Sequence, residues 1–343
     1  MTYGVPISKE SFVFTRFGVT TVRALPEDAE ILGVPGVGKC TKYKRIELRD
    51  QRIRSSRPAI RLITQATDSV LMLEASVFSE RVRRADELLS TGQIEFYNPP
   101  QAPEFRPGLS KMTIDLNPEA AYAIGILNTI VHNDPKCMAF LFRYMADSGF
   151  SRSVSQSVDA LMREIEIEIK VEIKKGKLNY SWIVLKGNAL DKIRQVLSSV
   201  TPQDACMRLG PRQLETYVAG MLDSHLSQPV YGGDPVLTFS KQESIKKRFL
   251  HNMLLLFDSR VVETSCITAH APKLLEATVI LGKAIEVRNP AWKSFEAQRE
   301  ASLFSRTRGS IDTKTPSTNI IFDEQGFSPI VDGLYTYPQI LSD

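Results

Sequence analysis

The chain has 343 residues, 43% of them hydrophobic and 24% charged, and carries a net charge of +4. That balance is globular and excludes a disordered, collagenous or coiled-coil chain; the length admits two domains, or one large one, without disulfides or metals as staples. The four cysteines, Cys40, Cys137, Cys206 and Cys266, are scattered and form no Cys-x-x-Cys pair, which excludes a disulfide framework, argues against structural zinc and points to a reducing, cytoplasmic setting.

From the N-terminus, residues 11–24 are β-branched and aromatic and predict one or two strands broken at Gly18. Residues 43–49, 59–64 and 69–78 predict further strands, and Ser79 caps a helix that runs to Leu89 and stops at Gly92. Pro99, Pro100, Pro103, Pro107 and Gly108 make 98–110 an extended linker or arm. Asn117-Pro118 and Asp134-Pro135 both read as helix starts, a polar cap followed by proline at a position that needs no N–H donor. Together they predict an αα-hairpin, its first helix reaching about Val131 and its second ended by Gly149.

Ile165, Ile167, Ile169, Val171 and Ile173 alternate with charged residues, the period of a half-buried strand. Lys174-Lys175-Gly176-Lys177 turns the chain and Leu178–Leu185 returns, a β-hairpin over 164–185. Asn188 caps a helix over 189–200; helices follow at 211–223, 243–257 and 290–304, with strands at 261–268 and 277–287. From Thr307 onward Gly, Pro, Ser and Thr predict an irregular tail. No internal repeat emerges at a fixed period, and the irregular mixture of hairpins and helices predicts an α+β fold, a mixed antiparallel sheet with packed helices. The expected organisation is a β-rich region over 1–97, the Pro-rich linker over 98–110, an α+β core over 111–306 and an extended tail over 307–343. The longest apolar stretches, Tyr122–Leu127 and Met253–Phe257, fall far short of the roughly 20 residues that cross a bilayer, and the first residues lack a signal-peptide pattern, so no membrane partner is expected.

One loop carries an enzyme-like pattern. Gly33, Gly36, Gly38 and Lys39, within Gly33-Val34-Pro35-Gly36-Val37-Gly38-Lys39-Cys40-Thr41, fit Gly-x-x-x-x-Gly-Lys and resemble the Walker A loop of nucleotide-dependent helicases. The resemblance implies backbone N–H groups wrapped around a triphosphate, with Lys39 on its outer phosphates. Cys40 stands where a hydroxyl should hold Mg²⁺, and Thr41 comes one residue late. As a plain turn, the same glycines supply positive φ between two strands. His132, His225, His251 and His270 form no His-Glu-x-x-His pattern, no Gly-x-Ser-x-Gly elbow occurs, and Ser244-x-x-Lys247 reads as a helix cap before basic residues. No catalytic residue, metal ligand or cofactor is therefore expected.

Charge is concentrated between positions 39 and 61. Lys39, Lys42, Lys44, Arg45, Arg49, Arg52, Arg54, Arg57 and Arg61 are opposed only by Glu47 and Asp50, leaving the rest of the chain net acidic. Such density suits a phosphate backbone, with Tyr43 placed to stack on a base. The expectation is a non-enzymatic subunit that holds RNA or single-stranded DNA inside a multi-subunit nucleoprotein assembly, beside copies of itself or other subunits, as a CRISPR effector backbone or a viral nucleoprotein does. Two alternatives remain open: a nucleotide hydrolase or helicase-like protein using Lys39, and a phage or viral shell or scaffold protein.

Overall fold

In the computed structural model the fold is α+β. The described residues are chiefly 114–129, 131–176, 180–202, 205–227, 236–240, 243–254 and 285–294, with short strand segments on either side. Residues 34–41, 52–58 and 98–110, which hold the glycine-lysine loop, part of the basic segment and the Pro-rich arm, lie outside them.

The core begins with helix α1, Pro118–Leu127. Asn117 accepts a hydrogen bond from the Glu119 N–H at 2.9 Å and Pro118 opens the first turn, as the Asn-Pro signal predicts. Residues 120–127 are all buried, so α1 is a central helix without a solvent face. Strands β1, Val131–Asp134, and β2, Cys137–Phe142, follow as a hairpin. The expected αα-hairpin is thus corrected. Asp134 accepts from the Lys136 N–H at 2.8 Å across a tight turn, because Asp-Pro satisfies the start of a turn as well as that of a helix. The Cys-Met-Ala-Phe-Leu-Phe stretch beyond it alternates half-buried and buried.

Helix α2, Ser148–Glu164, is capped by Asp147, which accepts from the Phe150 N–H at 2.7 Å. It buries Phe150, Val154, Val158 and Leu161 along one stripe. The hairpin expected over 164–185 is present, but its first strand starts later: α2 runs through Glu164, and strands β3, Lys170–Lys175, and β4, Ser181–Lys186, pair in register from Lys170↔Lys186 to Lys175↔Ser181. The alternation from Ile165 to Ile173 does face the core. The order β1-β2-β4-β3 makes a four-stranded antiparallel sheet. Helix α3, Leu190–Ser199, follows, and its Arg194 holds the β1–β2 turn through Asn133 Oδ1, at 3.0 and 2.8 Å, and the Asp134 carbonyl, at 2.7 Å.

After the short helix α4, Ala205–Arg208, the pattern repeats. Helix α5 spans Pro211–His225, β5 Val236–Ser240, α6 Ser244–Leu254, β6 Arg260–Ile267 and β7 Leu274–Ile280. The second sheet has the order β5-β7-β6, matching β2-β4-β3 of the first, with helix, strand, helix and hairpin in the same succession. The expectation of no internal repeat is therefore corrected: Tyr122-Ala-Ile-Gly-Ile-Leu-Asn-Thr of α1 and Tyr217-Val-Ala-Gly-Met-Leu-Asp-Ser of α5 are corresponding segments of two halves. Helices α1 and α5 start at the same end, where Gln213 donates to the Leu116 carbonyl at 3.1 Å, and run side by side.

Flanking strands close on this core. Gly18–Thr21 is fully buried, its Val19 N–H donating to Cys206 Sγ at 3.3 Å, and Gly18 turns the chain at φ 124°. Val82–Arg84 is a strand paired with Ser76–Phe78, where a helix over 79–89 was expected. The stretch expected to be irregular holds strands Gly309–Asp312, Ile320–Ile321 and Leu334–Pro338, the last paired along its length with Gly4–Ser8. Alternation in a short apolar segment such as Leu334-Tyr-Thr-Tyr-Pro338 is outweighed, in a reading by composition, by the Gly and Ser around it.

Candidate nucleic-acid interface

The two central helices meet through their glycines. A Cβ on Gly125 would overlap the Tyr217 carbonyl oxygen, and one on Gly220 would overlap that of Tyr122. The contact is reciprocal, as a two-fold relation between halves requires. The tyrosines then bond across it: Tyr122 donates to Asp223 Oδ2 at 2.6 Å, and Asn128 Nδ2 donates to the Tyr217 oxygen at 2.8 Å.

Asp223 is fully buried and receives three further donors: the N–H groups of Arg288, at 2.8 Å, and Asn289, at 3.2 Å, and the Trp292 indole N–H, at 2.8 Å. Arg288 forks onto Glu119 at 2.6 and 2.9 Å and lies 3.9 Å over the Tyr122 ring. The Asp223 carboxylate thus ties residues 288–292 across both helices. Burial pushes its carboxyl up to about 6 against the pull of those donors. A carboxyl raised above its unfolded value keeps its proton longer in the folded state, so between pH ~4 and ~6 its contribution to stability grows as pH falls; ionised at pH 7 it costs on the order of 3 kcal/mol. Urea denaturation of the wild type and Asp223→Asn from pH 4 to pH 7 should show the difference shifting against the wild type as pH rises; a flat difference would mean that Asp223 does not titrate in this window.

A second buried cluster lies at the C-terminal end of α5. Glu243, 1% exposed, accepts from Arg143 Nη2 at 2.6 Å, from the Ser240 N–H at 3.0 Å and from the Ser240 hydroxyl at 3.1 Å, and lies 3.3 Å from His225 Nε2 and 3.8 Å from Lys246 Nζ. His225 stacks on Phe239 and sets Nδ1 2.8 Å from the Met221 carbonyl. Burial lowers the Arg143, His225 and Lys246 values, the last to about 8, while Glu243 is held well below the carboxylate range by its basic neighbours despite its burial. Helix α5 ends here, and cations suit the partial negative charge of its last carbonyls; the backbone N–H of Arg143 donates to one of them, Ser224 O, at 3.2 Å.

Met138, Phe140, Phe142, Ile183 and Leu185 point into the core. Strand alternation and register put Cys137, Ala139, Leu141, Trp182, Val184, Lys186, Lys170, Glu172 and Lys174 on the opposite face. On edge strand β3, Glu172 is met by Lys170 at 2.7 Å, Lys186 at 2.9 Å and Lys174 at 3.8 Å. Hydrogen bonds from Lys170 and Lys186 hold the Glu172 carboxyl down to about 2. Three ammonium groups surround one carboxylate, leaving a basic rim. Beside it, Trp182 is half-buried and Tyr180, two residues earlier on the same face, is exposed.

The residues expected to bind phosphate are not brought to this face by any described contact. Lys42, Tyr43, Lys44 and Arg45 lie on the strand Lys42–Arg45, Arg49 on Arg49–Gln51, Arg61 on Ala59–Ile63 and Gly33 at the end of Glu30–Gly33. Gly36, Gly38, Lys39, Thr41, Arg52, Arg54 and Arg57 lie outside the described residues. The signal that could have found the face described here is the hairpin itself: Lys170, Glu172, Lys174, Tyr180, Trp182 and Lys186 share one parity. Among the described residues no group of three His, Cys, Asp or Glu side chains is placed to hold a metal, and no helix is long and apolar enough to cross a membrane.

No protein-family model matches the chain, and no curated protein sequence does. Among solved structures it is similar to I-DmoI in complex with DNA and Ca, at a TM-score of 0.36 and 9% identity over 47% of this chain and 82% of that one. Mesophilic variants of the homing endonuclease I-DmoI give a TM-score of 0.36 and 9% identity over 47% and 88% of the two chains. The homing endonuclease I-WcaI bound to its DNA recognition sequence gives 0.27 and 12% over 49% and 79%. These likenesses correct the expectation of a non-enzymatic subunit of a nucleoprotein assembly: the solved chains are homing endonucleases, two of them on DNA, not CRISPR or viral subunits.

Proposed function

We propose that this chain binds nucleic acid as a single polypeptide across the solvent face of the sheet β1-β2-β4-β3. The observation that carries the reading is the set of lysines on β3 and β4, Lys170, Lys174 and Lys186, clustered around the one carboxylate of Glu172 beside the exposed Tyr180 and half-buried Trp182 rings. An edge strand carrying lysines only to prevent edge pairing would need neither the rings nor the convergence on one point. Phosphate oxygens would take the place of Glu172 and release counterions. The basic stretch from Lys39 to Arg61 supplies a second contact in this proposal.

Replacing Lys170, Lys174 and Lys186 together by alanine should weaken binding of a fluorescein-labelled oligonucleotide at least ~10-fold and flatten the salt dependence by about 2 in slope, since each lost phosphate contact removes ~0.7–0.9. Glu172→Gln should bind more tightly than the wild type, because it removes the competing carboxylate. Anisotropy titrations with DNA and RNA, single- and double-stranded, across a salt series measure both. If the wild type binds none of them at low salt, or the triple variant binds as the wild type does, the reading is wrong.

A further inference from the structure

Trp182 of β4 lies on the lysine-bearing face, and Tyr180, one residue before the strand, continues its pairing, the Tyr180 carbonyl accepting from the Gly176 N–H at 2.6 Å. Tyr180 is the exposed large hydrophobic side chain among the described residues, and Trp182 is half-buried. Strand geometry places residues i and i+2 on one face about 6.6 Å apart, roughly twice the ~3.4 Å rise per nucleotide of one strand in a stacked duplex. A base can therefore lie on each ring only if the strand is opened and its bases are splayed. The register sets Lys174 directly opposite Trp182 and Lys170 opposite Lys186. A backbone following edge strand β3 would thus keep its phosphates on the lysines while its bases turn inward over β4. Leu141, half-buried and opposite Trp182 on β2, extends the apolar floor. Paired bases within a duplex have their faces covered by their neighbours and gain nothing from such rings.

We infer that Tyr180 and Trp182 form a stacking platform for unpaired bases, so that the face prefers single-stranded or locally opened nucleic acid over intact duplex. This rests on the nucleic-acid reading above and adds the substrate class. Base–aromatic stacking contributes about 1–3 kcal/mol per base, a factor of ~5–150, without requiring a particular sequence.

The chain contains two tryptophans, and Trp292 is buried, with its indole bonded to Asp223. Trp182 is therefore the fluorophore that an oligonucleotide can reach. Titration of the whole chain with a single-stranded DNA 12-mer should quench tryptophan emission, and the same sequence as a duplex should bind at least ~5-fold more weakly with little quenching. Trp182→Phe keeps a ring in place, so it should abolish the quenching while keeping most of the affinity. Tyr180→Ala, at an exposed position, should lower single-strand affinity ~5-fold or more and leave duplex affinity unchanged. Equal binding of the two forms, or quenching that survives Trp182→Phe, overturns the inference while leaving the lysine reading intact. Absence of binding to any nucleic acid removes both, and the lysine triple variant tells these outcomes apart.

Discussion

Gly125→Ala and Gly220→Ala are each expected to destabilise the fold by more than about 4 kcal/mol, a large fraction of the ~5–15 kcal/mol by which a typical domain is stable. The reason is backbone against backbone. The added methyl of Gly125→Ala would sit inside the Tyr217 carbonyl and 3.1 Å from the Met221 nitrogen, and that of Gly220→Ala inside the Tyr122 carbonyl and 3.1 Å from the Ile126 nitrogen. No rotamer change relieves contact with a main-chain oxygen, so the helices must part. Parting them stretches the Tyr122–Asp223 and Asn128–Tyr217 bonds and opens a gap beside fully buried side chains. Because both glycines relieve one interface, the double variant should lose much less than the sum of the singles. Gly149→Ala is the control: its added methyl meets only the Asp147 side chain, at 3.3 Å, and alanine improves helix propensity by up to ~1 kcal/mol. Chemical denaturation of the four variants beside the wild type measures all of this, and a mild loss in both Gly125→Ala and Gly220→Ala would contradict the packing described.

Glu243→Ala should lose about 3–5 kcal/mol, the range for breaking a buried ion pair from one side. It strands the Arg143 side chain, 5% exposed, along with the Ser240 donors that converge on the same carboxylate. The pair itself is no proof of net stabilisation, since two buried charges lose their hydration; the loss comes from leaving one of them alone. Replacing both Arg143 and Glu243 by Met and Leu should therefore recover much of what Glu243→Ala loses. Glu172→Ala gives the contrast, because its partners are exposed lysines and such pairs contribute ~0–1 kcal/mol. A loss in Glu243→Ala no larger than in Glu172→Ala would show that solvent reaches the cluster.

The candidate face was half legible in the sequence. The Ile165–Ile173 alternation identified the hairpin and which side of it is buried, and the other parity then carries Lys170, Glu172 and Lys174. The denser run from Lys39 to Arg61 outweighs that pattern in the sequence, because charge density along the chain is visible there and convergence in space is not. Lys186 joins Lys170 only through the β3–β4 register, 16 positions away in sequence.

By itself the sequence determined the α+β class, the Asn117-Pro118 helix start, the break at Gly18 and the inward face of the hairpin. These rest on local chemistry: a side-chain cap, a proline ring, a positive φ, an alternation of period two. Only the tertiary structure decided that Asp134-Pro135 makes a turn, that Tyr-x-x-Gly in α1 and α5 forms one reciprocal contact between two halves, and that Glu243 gathers Arg143, His225 and Lys246. Each of these depends on partners far apart in the chain. An Asp-Pro pair can open either element until a partner strand claims the residues after it. A glycine inside an apolar helix reads as a flaw until the helix against it is known.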